Sequence, residues 1–74
     1  MSDLAIKDNS FLRQFETRID GQLAKIEYSS QERKVFLTKL VIPEEITQEG
    51  FKEDFIKAVL NHIQEQNLRV VPTS

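Results

Sequence analysis

The chain has 74 residues and a mass of 8.6 kDa, with ten Lys and Arg against twelve Asp and Glu, a formal charge of −2, and neither Cys nor Trp. That length excludes a second domain. A chain this small buries only about 60% of the surface its unfolded form exposes, so nearly every apolar residue must serve one thin core, with little room for a deep pocket. Without cysteine there is no disulfide staple, no thiolate metal ligand and no cysteine nucleophile. Lys and Arg are scattered in sequence order, which argues against a basic face and a nucleic-acid partner. The apolar run Leu40-Val41-Ile42 is far too short to span a membrane, and no charged region followed by an apolar stretch opens the chain as a signal peptide would. The expectation is a cytoplasmic protein with no metal and no membrane contact.

Residues 1–10 show no sustained period and read as a flexible leader; residues 11–74 read as one domain. From Phe11 the residues alternate, with Phe11, Phe15, Thr17 and Ile19 on one face and Leu12, Gln14, Glu16 and Arg18 on the other, as in a half-buried strand. Asp20-Gly21 stops it and signals a hairpin, because a type I′ turn needs positive φ at both central residues. The second strand places Gln22, Ala24, Ile26 and Tyr28 on one face. Ser29-Ser30-Gln31-Glu32-Arg33 reads as a polar connection, and residues 34–42, the most β-prone stretch, as a third strand central in the sheet and closed by Pro43.

Beyond Pro43 the chain is acidic until a helix begins, with Thr47 as a candidate N-cap for the Gly50 N–H. Phe51, Phe55, Val59 and Ile63 recur at four-residue spacing, with Ile56 and Leu60 beside them and Lys52, Glu53, Lys57, Asn61, Gln64 and Glu65 on the wet side. Gln66-Asn67 ends the helix and Leu68-Arg69-Val70-Val71 is a short last strand. The fold class is therefore α+β in the order β-β-β-α-β. Three strands form an antiparallel meander, one long helix follows, and a right-handed crossover lays the last strand parallel to the third. One helix covers one face. The other has Phe, Leu and Val to spare, so a homodimer or a protein partner is expected on the uncovered face or edge.

Particular phrases in this frame are Asp20-Gly21-Gln22-Leu23-Ala24-Lys25-Ile26-Glu27-Tyr28, then Leu37-Thr38 leading to Ile42-Pro43-Glu44-Glu45, then Leu68-Arg69-Val70-Val71-Pro72. In order and at these intervals they resemble the small single-domain branch of the GNAT superfamily, the acetyl-CoA-dependent N-acetyltransferases. The resemblance covers residues 11–74 and implies a GNAT-like core and acetyl-CoA as cofactor. It further implies pantetheine along the backbone of Val41 and Ile42, and pyrophosphate near Gly50 and Phe51. The superfamily's pyrophosphate loop is patterned Gln/Arg-x-x-Gly-x-Gly/Ala, so that N–H groups and the positive end of the helix dipole face the phosphates. Here the loop reads Thr47-Gln48-Glu49-Gly50-Phe51-Lys52, in which only Gly50 fits, and Glu44, Glu45, Glu49, Glu53 and Asp54 crowd it.

Other landmarks of the branch are altered too. Lys39 and Val41 stand where it often has a His and an acidic residue, and Ser74 where it has a Cys; the family continues past this point, so a C-terminal truncation is part of what the resemblance implies. No group poised near neutrality remains on the third strand, and Ser74 has no evident base beside it. His62, the sole histidine, lacks partners at ligand spacing and reads as structural or solvated. Tyr28 reads as a rim-of-core residue rather than a general acid. A double-stranded-RNA-binding fold would need a leading helix and a Lys-rich entry to the last one, and this entry is acidic. No catalytic residue is expected. The expected function is an N-acetyltransferase-like protein with weakened or lost acetyl-CoA binding; the alternative is a non-enzymatic protein-interaction or structural module on the same fold.

Overall fold

The alternating stretches pair into one sheet in the computed structural model, which describes residues 4–71. The elements are β1 (Lys7–Asn9), β2 (Gln14–Ile19), β3 (Gln22–Gln31), β4 (Lys34–Val41), α1 (Phe51–Glu65) and β5 (Arg69–Val71). The sheet order is β1-β2-β3-β4-β5; the first four strands are mutually antiparallel and β5 runs parallel to β4, as the β-β-β-α-β order requires. One feature of the expected meander is corrected. It has four strands, because Lys7–Asn9, within the stretch read as a leader, pairs with β2; three residues are too few to display a period. With β1 added the middle strand of the five is β3, and β4 stays inside the sheet between β3 and β5.

Turn chemistry sets the strand ends. Asp20 and Gly21 have φ of 50° and 80°, and Ile19 lies opposite Gln22, the two-residue hairpin expected. The polar run after Tyr28 is strand, not connection: β3 continues to Gln31, and Glu32 and Arg33, at φ 52° and 67°, make a second two-residue turn. Nor does β2 begin at Phe11. Residues 10–13 form a loop in which Asn9 Oδ1 accepts the Leu12 N–H at 3.0 Å, Arg13 adopts φ 58°, and the Arg13 carbonyl accepts the Tyr28 N–H at 2.9 Å. Phe11, expected on the core face, is 92% exposed at the tip.

The core lies between the sheet and α1. Phe15, Ala24, Ile26 and Val35 meet Phe51, Phe55, Val59 and Ile63, the stripe read from the sequence. The helix end is a Schellman motif: Asn67 is left-handed at φ 59°, its N–H donates to the Gln64 carbonyl at 3.0 Å, and the Leu68 N–H donates to the Ile63 carbonyl at 3.2 Å. Arg33 fastens this end to the sheet. Its Nη2 donates to the Gln66 carbonyl at 3.2 Å and the Asn67 carbonyl at 2.8 Å, and its own carbonyl accepts the Arg69 N–H at 2.9 Å.

The registers also settle what the helix-free face presents. Partners directly opposite in a sheet share a face, so Lys7, Glu16 and Lys25 form one row across β1, β2 and β3, Glu27 faces Lys39, and Lys34 neighbours Arg69. Leu23, Phe36, Val41 and Val71 are on this face and half-buried. The expected surplus of apolar surface is therefore a mixed, mainly charged one. The expectation of no basic face fails as well: the period of two conceals in sequence order what pairing collects in space.

Candidate functional site

Residues 34–41 form a strand whose pleat is interrupted. Glu27 pairs with Lys39 but its neighbour Tyr28 pairs with Leu37, so Thr38 is the extra residue of a β-bulge. The Thr38 hydroxyl donates to the Glu27 carbonyl at 3.1 Å, holding the bulge to β3. A signal for it exists in the sequence, since Leu37 and Leu40 both turn toward α1 at a spacing of three where an unbroken strand allows two or four. Past the bulge, residues 39–41 resume pairing with β3, opposite Glu27, Ile26 and Lys25.

The four residues expected to hold a cofactor lie at two places on this path. Val41 ends β4, half-buried, with its side chain on the helix-free face by its register with Lys25. Ile42 follows it and packs against the core. The chain then turns, the Pro43 carbonyl accepting the Ile46 N–H at 3.1 Å. Gly50 is the N-cap of α1 at φ 79° and makes no side-chain cap bond. This replaces the expected Thr47 cap. Phe51 is buried and stacked on Phe55 with ring centroids 5.7 Å apart, so only its backbone faces a ligand at the helix entry.

At that entry the Phe51 N–H donates to the Gln48 carbonyl at 3.2 Å and the Asp54 N–H to the Gly50 carbonyl at 3.0 Å, while the N–H groups of Lys52 and Glu53 have no backbone acceptor among the described residues. A left-handed glycine followed by free N–H groups suits an anion. The side chains do not: Glu44, Glu45, Glu49 and Glu53 are exposed around it and Asp54 half-exposed, with Lys52 the one cation of residues 44–54. A nearby groove of about 160 Å³ between residues 19–22 and 45–48 adds Asp20 and Glu45 to its rim rather than a cation. The backbone at this entry suits an anion, and the carboxylates of residues 44–54 oppose one.

Candidates set aside on sequence grounds have structural partners. The Tyr28 ring stacks on Phe15 at 4.6 Å and its hydroxyl donates to Asp8 Oδ1 at 2.6 Å. Burial, and then the neighbouring Asp8 carboxylate, push its pKa up to about 12. His62 meets Phe15 edge-on, with ring centroids 5.7 Å apart. Among the described residues no group of three or more His, Cys, Asp or Glu is placed to hold a metal, and no helix is long and apolar enough to cross a membrane. Ser74 lies outside the described residues.

A mixed sheet with a bulged strand, a short parallel partner and a long helix between them defines an α+β fold of the acyltransferase kind. The chain belongs to the GCN5-related N-acetyltransferase family, whose sequence pattern it matches over residues 14–74. No curated protein matches it in sequence.

Proposed function

We propose that this is an N-acetyltransferase-like protein whose acetyl-CoA binding is weakened or lost. The carrying observation is the conflict at the helix entry, where a receptive backbone lies in a stretch, residues 44–54, that holds five carboxylates and one cation. Two like charges 4 Å apart repel by about 1 kcal/mol even in water. Carboxylates in this stretch therefore work against the about 8 kcal/mol that micromolar affinity represents. Pantetheine would pair with the backbone of Val41 and Ile42, and the pyrophosphate would meet Gly50 and Phe51. No catalytic step is assigned, because Lys39 and Val41 stand where the branch often has a His and an acidic residue.

Titration with acetyl-CoA followed by backbone amide shifts tests this. The expected result is non-saturating shifts confined to residues 41–52 at millimolar cofactor, and tighter binding by roughly tenfold or more in the double variant Glu49→Arg with Lys52→Gly. Saturation at micromolar cofactor in the unaltered chain would overturn the weakening, and silence in both proteins would overturn the assignment of these residues. A non-enzymatic interaction module is the second reading, favoured by the charged, helix-free sheet face.

A further inference from the structure

Among the described residues the helix-free face carries Lys7, Arg18, Lys25, Lys34, Lys39 and Arg69 against Glu16 and Glu27. A chain of net charge −2 thus has one surface with six cations and two carboxylates. Both carboxylates are already engaged. Glu16 Oε2 accepts from Gln14 Nε2 at 2.6 Å and Asn9 Nδ2 at 3.0 Å, and Glu27 Oε2 lies 3.0 Å from Lys25 Nζ. Of the cations, Lys7, Arg18, Lys34, Lys39 and Arg69 are exposed. At one corner Ala5, Thr17 and Leu23, with Lys7, Arg18 and the already bonded Glu16 beside them, line a groove of about 270 Å³.

We propose that this face docks an acidic segment of a partner protein in which carboxylates alternate with aliphatic side chains. Charge complementarity selects an anionic partner, since unpaired cations on one face attract it and enhance its approach. Its apolar residues narrow the class. Leu23, Val41 and Val71 are aliphatic and Phe36 is the single aromatic of the face, whereas a single-stranded nucleic acid needs successive aromatic platforms for its bases. A pleated surface with aliphatic side chains between lysines suits an extended acidic chain whose alternate residues point down onto it. This inference is independent of acetyl-CoA binding.

The test is an amide-shift titration of the whole chain with a short synthetic peptide of alternating glutamate and leucine, and with its lysine-leucine counterpart. The acidic peptide should shift Arg18, Lys25, Phe36, Lys39 and Arg69 and leave the exposed face of α1 unmoved, with affinity falling as salt screens the charges. Lys25→Glu with Lys39→Glu should weaken it by roughly tenfold or more; Lys34→Glu with Arg69→Glu, at exposed positions, supplies the same comparison if the first pair perturbs folding. No shift at millimolar peptide, equal binding of the lysine peptide, or shifts elsewhere would overturn the proposal. Tighter binding of oligothymidylate or of phosphatidylserine vesicles on the same residues would overturn the choice of a protein partner. So would self-association in sedimentation that the Lys25→Glu, Lys39→Glu pair abolishes, since the occupant would then be a second copy.

Discussion

Phe11 and Phe15 share strand parity, yet one is 92% exposed and the other 2%. The difference lies in Asn9, whose side chain bonds the Leu12 N–H and turns the chain before the alternation can start. Phe11→Ser is therefore expected to change stability by no more than about 0.5 kcal/mol in urea unfolding; a loss of several kcal/mol would place Phe11 in the core. Tyr28 makes a sharper case. Its pKa is about 12 in the folded chain against an ordinary value of 10.0. A raised folded-state pKa contributes stability that is complete below the unfolded pKa and lost as pH climbs toward the folded one. The melting-temperature advantage of the native chain over Tyr28→Phe should accordingly shrink between about pH 10 and 12. Glu16 works in the opposite sense. The hydrogen bond from Gln14, then that from Asn9 and the charges of Lys7 and Arg18, hold its carboxyl below the ordinary value against desolvation. Its contribution is present above the ordinary carboxylate pKa and fades as pH falls through the lowered one, so the difference between native chain and Glu16→Gln should narrow on acidification.

Among the elements, α1 was legible because four apolar residues at one spacing leave a single solution, and Asp20-Gly21 because few dipeptides accept positive φ twice. What the sequence concealed was conformation supplied by residues with no such preference. Glu32 and Arg33 form a left-handed turn without glycine, and Thr38 adds a bulge marked by one irregular interval. The candidate site divides in the same way. Gly50 could be read from its type, whereas the place of Val41, on the helix-free face opposite Lys25, follows from strand register rather than composition. The cap exchange at the helix entry also has a measurable consequence. With Gly50 at φ 79°, Gly50→Ala should cost about 1–2 kcal/mol although a Cβ there would meet nothing within 4 Å. Thr47→Ala should cost much less than the about 1 kcal/mol of a lost N-cap. Urea midpoints of the two variants decide which residue caps the helix.

At the scale of the molecule, one helix and one sheet face supply the whole core. Phe55 is fully buried at its centre, and Phe55→Ala should cost about 3–5 kcal/mol. Against the roughly 5–10 kcal/mol that small domains possess, that leaves a chain substantially weakened at 37 °C, as a thermal melt would report. Charge is as unevenly shared as packing, cations on the open sheet and carboxylates at the helix entry, an asymmetry that a net value of −2 averages away.

The fastening by Arg33 bears on how the chain assembles in time. The antiparallel hairpins join near neighbours and can close early, but the β4–β5 pairing links residues 34–36 to 69–71 and must wait for α1 to span the sheet. Arg33 sits in the turn of an early hairpin and grips the last turn of the helix, so it is the point at which the late step is locked to the early one. Without it the meander would stand while the terminal strand opened and closed, a local opening visible as faster amide exchange at Val70 and Val71 and unchanged protection at Ala24 and Ile26.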